Sequence, residues 1–326
     1  MMRRKTALVM TIMMVAVSIL AGCGKTEQAQ TPKEINVAYQ YSLGYAPFIV
    51  MKDLNLVEKA YGDDITVNWV QMNNGSEISE ALVSGDLDVG AMGVPVAVTG
   101  IQAGSPYKIA FGMSSQPYAI VTSNENINSL SDISDSDQIA IVNINSMQHV
   151  ILAMAAKAEL GDAHALDSRL TVLNNADGYE AMISGVVSCH MVISPYNFLE
   201  VNNSEVEMHE IDAISNVWDK NNTAIVGVIA EEMKNDEPEV YDAFIEAYNE
   251  ATAFIEENPT DTAKYLAEGY DASEEDIEAW ITDERSNYDS TLHGVMNMVD
   301  FMLEEGFLEE GPESIDELVY EGVEGD

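Results

Sequence analysis

Short strand patterns alternate with helix patterns in the first part of the chain, and the links between them are only a few residues long. Strand patterns alternating with helical ones predict an α/β fold built on a parallel sheet, because a parallel connection needs a crossover helix. The predicted strands are EINVAYQ (34–40), ITVNWVQM (65–72), LDVGAM (87–92) and YKIAFGM (107–113).

A second unit of the same kind follows, and a chain of 326 residues is longer than a typical single domain. We therefore expect two α/β lobes. The strands predicted for the second unit are QIAIVN (138–143), SRLTVLN (168–174), SCHMVI (188–193) and a closing EVEMHEI (205–211). The segment 223–233 predicts a strand that returns to the first lobe.

The remainder of the chain is mostly helical in pattern. One face of the helix after Glu237 carries apolar residues at helical spacing: Val240, Phe244, Tyr248, Ala251 and Ile255. Further helices are predicted after Pro259 and within 271–281, 292–306 and 312–322, and we expect them to pack on the first lobe.

The stretch SGDLDVGAMGVP, Ser84 to Pro95, links a helix to a strand and that strand to the next helix. Asp86 and Asp88 shape the turn that enters the strand. A calcium site there is disfavoured, because the pattern lacks the closing glutamate of a calcium loop. Gly93 and Val94 fall at the carboxyl end of the strand, where open α/β sheets bind ligands beside helix N-termini.

The N-terminus has the pattern of a signal peptide over residues 1–22. Arg3, Arg4 and Lys5 precede an apolar run too short to span a bilayer core of about 30 Å. Its end, Leu20 to Cys23, resembles a bacterial lipobox, which implies lipid on Cys23 and anchoring at the outer face of the cell membrane. The alternative is an uncleaved single-span anchor. Residues 23–33 lack aliphatic and aromatic runs and indicate a flexible tether.

Composition excludes some function classes. A formal charge of −42 makes nucleic acid an implausible partner. Cys189 lies in an apolar run and is predicted to be a small buried hydrophobe.

The sequence has no G-x-S-x-G, H-E-x-x-H or C-x-x-C motif, so no hydrolase, zinc or redox signature is present. A glycosidase with two opposed carboxylates stays open, since acids are abundant. We predict no cofactor and no metal.

The mature chain resembles the substrate-binding proteins of bacterial ABC importers, in particular the nitrate/sulfonate/taurine (NitT/TauT) family. The resemblance rests on the lipobox, INVAYQ with its aromatic loop, NNGSEISEALVSGDLDVGAMGVP, DGYEAMISG with ISPYNF, and HGVMNMVDFMLEEG. It implies a two-lobed periplasmic-binding-protein-like fold of type II, a ligand cleft between the lobes, and crossover strands near 117–123 and 222–230. Lobe 1 would comprise 34–118 and 222–326, and lobe 2 would comprise 119–221.

The resemblance also implies partners and a mechanism. A monomer would capture a small molecule by cleft closure and deliver it to a permease and its ATPase, without catalysis. A lipoprotein sensor with the same cleft is the alternative. The implied ligand-binding residues are Tyr41, Ser42, Leu43, Gly44, Tyr45, Asn73, Asn74, Gly75, Gly93, Val94, Ser114, Ser115, Asn145, Ser146, Met147, Ser194 and Tyr196.

Some of these residues have structural alternatives. Tyr41 and Tyr45 can instead serve the hinge or the core, and Asn145 and Ser146 can simply cap a helix. His149 and His190 are predicted to be structural.

The predicted cleft loops lack a cation. Beyond the signal peptide, Arg169 and Arg285 are the only arginines, and neither falls in a cleft loop. Tyrosines and amides therefore favour an uncharged or aromatic ligand, such as a pyrimidine. A sulfonate or taurine-type anion held by backbone N–H groups is the alternative.

Overall fold

The computed structural model describes residues 33–62 and 64–325. The predicted signal peptide and Cys23 lie outside the described residues, as does the predicted tether apart from Lys33. Among the described residues, none of the helices has the length and apolar character needed to cross a membrane.

The described strands form two five-stranded sheets. Sheet A contains β1 (Lys33–Tyr39), β2 (Ile65–Gln71), β3 (Val89–Gly93), β4 (Tyr107–Ser114) and β10 (Ile225–Ala230). Sheet B contains β5 (Tyr118–Thr122), β6 (Ile139–Ile141), β7 (Leu170–Val172), β8 (Cys189–Ile193) and β9 (His209–Ile211). The strand order is β2-β1-β3-β10-β4 in sheet A and β7-β6-β8-β5-β9 in sheet B.

The helices follow the strands in the alternation that the sequence predicts. They are α1 (Ala46–Leu54), α2 (Leu56–Tyr61), α3 (Gly75–Ser84), α4 (Val94–Gln102), α5 (Met147–Leu160), α6 (Asn175–Ile183), α7 (Tyr196–Val201), α8 (Glu231–Asp236), α9 (Pro238–Glu257), α10 (Pro259–Ala267), α11 (Glu274–Ile281) and α12 (Val295–Glu304). Short 3₁₀ turns lie at Leu43–Tyr45, Leu130–Asp132, Asp167–Arg169 and Ile315–Glu317.

One strand in each sheet runs antiparallel to its neighbours, so both sheets of the predicted α/β fold are mixed. Strand β10 is antiparallel to β3 and β4, and β5 is antiparallel to β8 and β9. Each of these strands enters its sheet immediately after the chain has crossed from the other sheet. The pairs β1–β3, β6–β7 and β6–β8 are parallel. The antiparallel strands are therefore the two crossovers of a two-lobed α/β fold.

Helix α9 buries the face that its periodicity predicts. Val240, Phe244, Tyr248 and Ala251 are fully buried, and Ile255 is 4% exposed. The Phe244 ring packs edge-on against Phe48 of α1, with ring centroids 5.8 Å apart. Aromatic contacts of this kind contribute about 0.5–1.5 kcal/mol each beyond the buried area. They fix the C-terminal helices on the sheet A side of the molecule.

Two segments differ from their predicted helices. The pattern from Ala46 to Gly62 is broken at Asn55, whose φ of 50° is left-handed and ends α1. The last predicted helix, 312–322, contains only a 3₁₀ turn. Its backbone instead bonds the outer edge of β4, because Ile109 N donates to Leu318 O (2.9 Å) and Tyr320 N donates to Ile109 O (3.0 Å). Pairing with a free sheet edge satisfies backbone groups that a helix would otherwise satisfy internally.

The two units repeat one plan at an interval of 100 residues. Asn74 and Asn174 occupy matching positions, and each caps its helix by accepting from the backbone N–H three residues later. The packing of each helix on the next strand differs between the units. A Cβ on Gly90 would lie 2.4 Å from Ile78 Cγ2, whereas a Cβ on Gly178 would lie 2.6 Å from the His190 ring.

The matching positions therefore carry a large residue on the helix and glycine on the strand in the first unit, and the reverse in the second. Either arrangement lets helix and strand approach closely.

Candidate functional site

A small cavity lies where the two sheets face each other, and we call it the cleft cavity. Its volume is about 40 Å³, which is room for a few water-sized atoms. It is lined by Gln40, Ser42, Tyr45, Gly75, Gly93, Val96, Tyr118, Val142, Ser146, Met147, Gln148, Asn175, Ile193 and Ile225.

Four helices begin at the cleft cavity. Helices α3 and α4 arrive from the sheet A side, and α5 and α6 arrive from the sheet B side. Gly75, Gly93, Met147 and Asn175 lie at their first turns or caps and line the cavity. Helix N-termini carry unsatisfied N–H groups and a partial positive charge. These helix ends therefore favour an anionic or acceptor group in the cavity, although none of its lining side chains is cationic.

Hydrogen bonds bridge the two sides of the cleft. They run from Leu43 N to Ser194 O (3.0 Å), from Asn175 Nδ2 to Tyr41 O (3.1 Å) and from Asn143 Nδ2 to Ser76 Oγ (2.8 Å). The structure is thus a closed arrangement, in which loops of both sheets meet directly.

The backbone of Gly93 lies close to the opposite side of the cleft. A Cβ added to Gly93 would lie 2.9 Å from Met147 Cβ and 3.5 Å from Met147 N. Its φ of −63° and ψ of 144° are accessible to any residue. Glycine is therefore needed here for space across the cleft and not for the local turn.

Two buried amides organise the sheet B wall. Gln148 Oε1 accepts from Val142 N at 2.7 Å, and Gln148 Nε2 donates to Asn175 Oδ1 at 2.6 Å. Asn175 then reaches Tyr41 O with its remaining donor group. The sequence analysis missed both amides. The signal for Gln148 was an amide in the first half of α5, where His149 is the only other polar residue.

None of the lining residues is charged, and the cavity is rich in hydrogen-bond donors. Burial, followed by the proximity of Tyr118, raises the pKa of Tyr45 well above its usual value. Burial also raises the pKa of Tyr118, so both hydroxyls stay protonated at neutral pH. The Ser42 and Ser146 hydroxyls accept from backbone N–H groups and each retain a proton to donate. This chemistry suits a ligand with acceptor oxygens.

Comparison with known proteins gives the family. The NMT1-like family matches residues 28–269, most of the chain. This chain belongs to the NMT1-like family. No curated protein matches the sequence.

Solved structures share the fold of this NMT1-like protein. The alkanesulfonate-binding protein SsuA from Xanthomonas axonopodis, bound to MOPS, superposes with a TM-score of 0.73 at 16% identity, covering 90% of this chain and 99% of that one. The ligand-binding component of an ABC-type import system from Staphylococcus aureus, with zinc bound, gives 0.72 at 16% identity, covering 88% and 96%. The periplasmic nitrate-binding protein NrtA from Synechocystis gives 0.68 at 15% identity, covering 88% and 86%. The fold is that of the periplasmic binding proteins.

The structure brings some of the predicted site residues of this NMT1-like protein to the cleft cavity and places others around it. The predicted residues that line the cavity are Ser42, Tyr45, Gly75, Gly93, Ser146 and Met147. The lining residues that the sequence analysis did not name are Gln40, Val96, Tyr118, Val142, Gln148, Asn175, Ile193 and Ile225.

Several predicted site residues support the loop at residues 41–45, which contains Tyr41 and Tyr45. Ser114 Oγ donates to Gly44 O at 2.9 Å, which fixes the loop on β4. Ser115 pairs its backbone with Asn287. The Tyr41 carbonyl is engaged across the cleft, as described above.

Others lie at helix starts. Asn73 and Asn74 both hydrogen-bond the Glu77 carboxylate at the start of α3. Val94 is fully buried, and its N–H donates to Ala224 O at 3.0 Å. Leu43 and Ser194 contribute backbone groups to the bridge across the cleft.

Two expectations about the segment after β8 need comment. Serine is a common helix-capping residue, but Pro195 occupies the cap position of α7, and Ser194 Oγ is buried without a hydrogen-bond partner among the described residues. Tyr196 packs instead against the rings of Tyr179 and Tyr270, at centroid distances of 6.4 and 6.5 Å.

Asn145 is positioned by a buried histidine. Its backbone is left-handed at φ 59°, and its N–H donates to His149 Nδ1 at 3.0 Å. Because Nδ1 accepts, Nε2 carries the proton and donates to Asp167 Oδ1 at 3.2 Å. Burial lowers the pKa of His149, which keeps the ring neutral. This geometry supports a structural role for His149 beside the cleft.

Proposed function

We propose that this NMT1-like protein is the extracytoplasmic solute-binding component of an ABC importer. The observation that carries the proposal is the cleft cavity, to which both sheets contribute donors and across which their loops are bridged. A solute that contacts both sides favours the closed state by its differential affinity for that state. The closed form would then dock on a permease that is driven by its ATPase. This role requires no covalent chemistry.

The cleft favours a small oxyanion, or a neutral ligand rich in acceptor oxygens. Four helix N-termini and several hydroxyl and amide donors surround the cavity, and a cation would face positive helix ends. Two of the similar structures are described as alkanesulfonate- and nitrate-binding. A flat heterocycle such as a pyrimidine is the second candidate, because the Tyr45 and Tyr118 rings both line the cavity.

A thermal-shift panel tests the function and separates the two ligand classes. Nitrate, taurine, an alkanesulfonate and a set of pyrimidines are titrated against the protein. A true ligand at about 100 times its dissociation constant stabilises the native state by about 2.7 kcal/mol, which raises Tm by several degrees. If none of the solutes in either class raises Tm, the result contradicts the solute-binding proposal.

Two substitutions at Tyr45 then report on the mode of binding. For an oxyanion, Tyr45→Phe should weaken binding about tenfold, because it removes one buried donor. For a stacked heterocycle, Tyr45→Phe should bind normally and only Tyr45→Ala should abolish the shift. Tyr61→Phe, outside the cavity lining, serves as the matched control.

We also propose that lipid on Cys23 holds the protein at the outer face of the cell membrane, as the lipobox resemblance implies. Cys23→Ser should then move the protein from the membrane fraction to the soluble fraction without changing Tm. Persistence of the Cys23→Ser protein in the membrane fraction, or lipid mass on it, would contradict this anchor.

A further inference from the structure

A second and larger cavity lies where the segments that connect the two sheets meet, and we call it the hinge cavity. Its walls come from the first crossover at 116–119, the β9–β10 connection at 210–220, and residues 284–285. Its volume is about 590 Å³, within the usual range of about 300–1,000 Å³ for small-molecule sites. Tyr118 is the one lining residue that it shares with the cleft cavity, and no helix N-terminus from the cleft opens into it.

One wall of the hinge cavity is apolar and aromatic. Tyr118, Ile211 and Ile214 are at most 8% exposed, and Trp218 packs edge-on against Tyr118 with ring centroids 6.5 Å apart. Because these side chains are packed against neighbouring protein atoms, the wall is already formed before a ligand binds. This wall suits the flat face of a small ring.

The rim of the hinge cavity is acidic. Four carboxylate side chains and two cationic side chains line it: Glu210, Asp212, Asp219, Glu284, Lys220 and Arg285. The Arg285 charge is largely used within the protein, because its Nε donates to Asp283 Oδ1 at 2.9 Å and its guanidinium lies over the Phe198 ring at 5.3 Å. The excess of carboxylates favours a cationic group at the rim.

We propose that the hinge cavity is a second ligand site, which takes a small aromatic amine. The ring would lie on the Tyr118–Trp218 wall, and the ammonium would face the rim carboxylates. The segments that form the cavity are those that must reorient when the cleft opens. Occupancy of the hinge cavity therefore couples to cleft closure, and the coupling is reciprocal.

Calorimetric titration of the protein with tyramine tests this site. Two matched analogues keep the ring and its oxygen and change only the charge: tyrosol is neutral and 4-hydroxyphenylacetate is anionic. We expect tyramine to bind at least about tenfold more tightly than tyrosol, and the acid to bind more weakly still. Equal binding of all three, or no binding of tyramine at millimolar concentration, would overturn the proposal.

Variants locate the bound amine. Trp218→Leu should weaken tyramine about tenfold or more, and the exposed Glu284→Lys should weaken it severalfold without affecting folding. Trp280→Phe, at a tryptophan outside both cavities, is the matched control and should bind normally. Tyramine binding that survives both hinge variants but is lost in Tyr45→Ala would place the amine in the cleft and refute a hinge site. Neither hinge variant removes a donor from the cleft, so this test is independent of the solute-binding proposal.

Discussion

Replacing Gly93 by valine is expected to weaken solute binding by about 5- to 150-fold, or about 1–3 kcal/mol, while the protein still folds. The backbone at Gly93 has dihedral angles that valine adopts readily. The new side chain would instead collide with Met147, because even its Cβ would lie 2.9 Å from Met147 Cβ. The collision occurs only when the cleft is closed, because Gly93 and Met147 lie on opposite sides of it. The substitution therefore destabilises the closed state and not the open state.

Calorimetry with the solute identified in the thermal-shift panel measures the effect. The Tm of the empty Gly93→Val protein should change little. A double-mutant cycle with the smaller substitution Gly93→Ala provides the control. Met147→Gly removes the Cβ that opposes residue 93. The protein that carries both substitutions should therefore bind the solute more tightly than Gly93→Ala alone. Unchanged affinity in Gly93→Val would show that binding does not require the approach of these two residues.

Replacing Glu200 by alanine is expected to reduce the free energy of unfolding by about 3–5 kcal/mol. His190 Nδ1 and Glu200 Oε1 are 2.5 Å apart, and both side chains are fully buried. His190 Nε2 already lacks a hydrogen-bond partner among the described residues. Removing the carboxylate would leave the whole imidazole unsatisfied in the interior and open a cavity beside it.

Urea denaturation measures the loss, provided that the m-value is unchanged. Glu200→Gln keeps the size and one acceptor and should lose less. Asp261→Ala, which removes the solvent-exposed partner of Lys264, should leave the unfolding free energy almost unchanged. A Glu200→Ala protein as stable as the parent would mean that the buried pair contributes nothing net to stability.

Periodicity in the sequence predicts most of the fold because it reports burial. The buried face of α9 and the ends of β3 and β8 follow from residue spacing alone. Strand direction does not, because alternation along a strand is the same in either direction. The strand pattern at 223–233 predicts the return of β10 to the first lobe, whereas the crossover β5 could be anticipated only from the family resemblance. The 3₁₀ turn in place of the last predicted helix reflects the free edge of β4, which is a tertiary feature.

The cleft shows the same division. Gly93 and Ser146 lie at strand–helix junctions, and junctions are visible in the sequence. Gln148 and Asn175 matter because they meet each other across 27 positions and then reach Tyr41. No local pattern encodes such a contact. Ser194 shows the limit of local signals, since a residue type typical of helix caps is here a buried hydroxyl beside Pro195.

The exchanged large and small residues at Ile78–Gly90 and Gly178–His190 restrict how the two units can vary. Moving the helix of one unit onto the strand of the other would bring either two large side chains or two glycines to the same point. The first combination cannot pack, and the second leaves a hole. The halves share a plan but are not interchangeable parts. A change at one of these positions is therefore expected to need a compensating change at its partner.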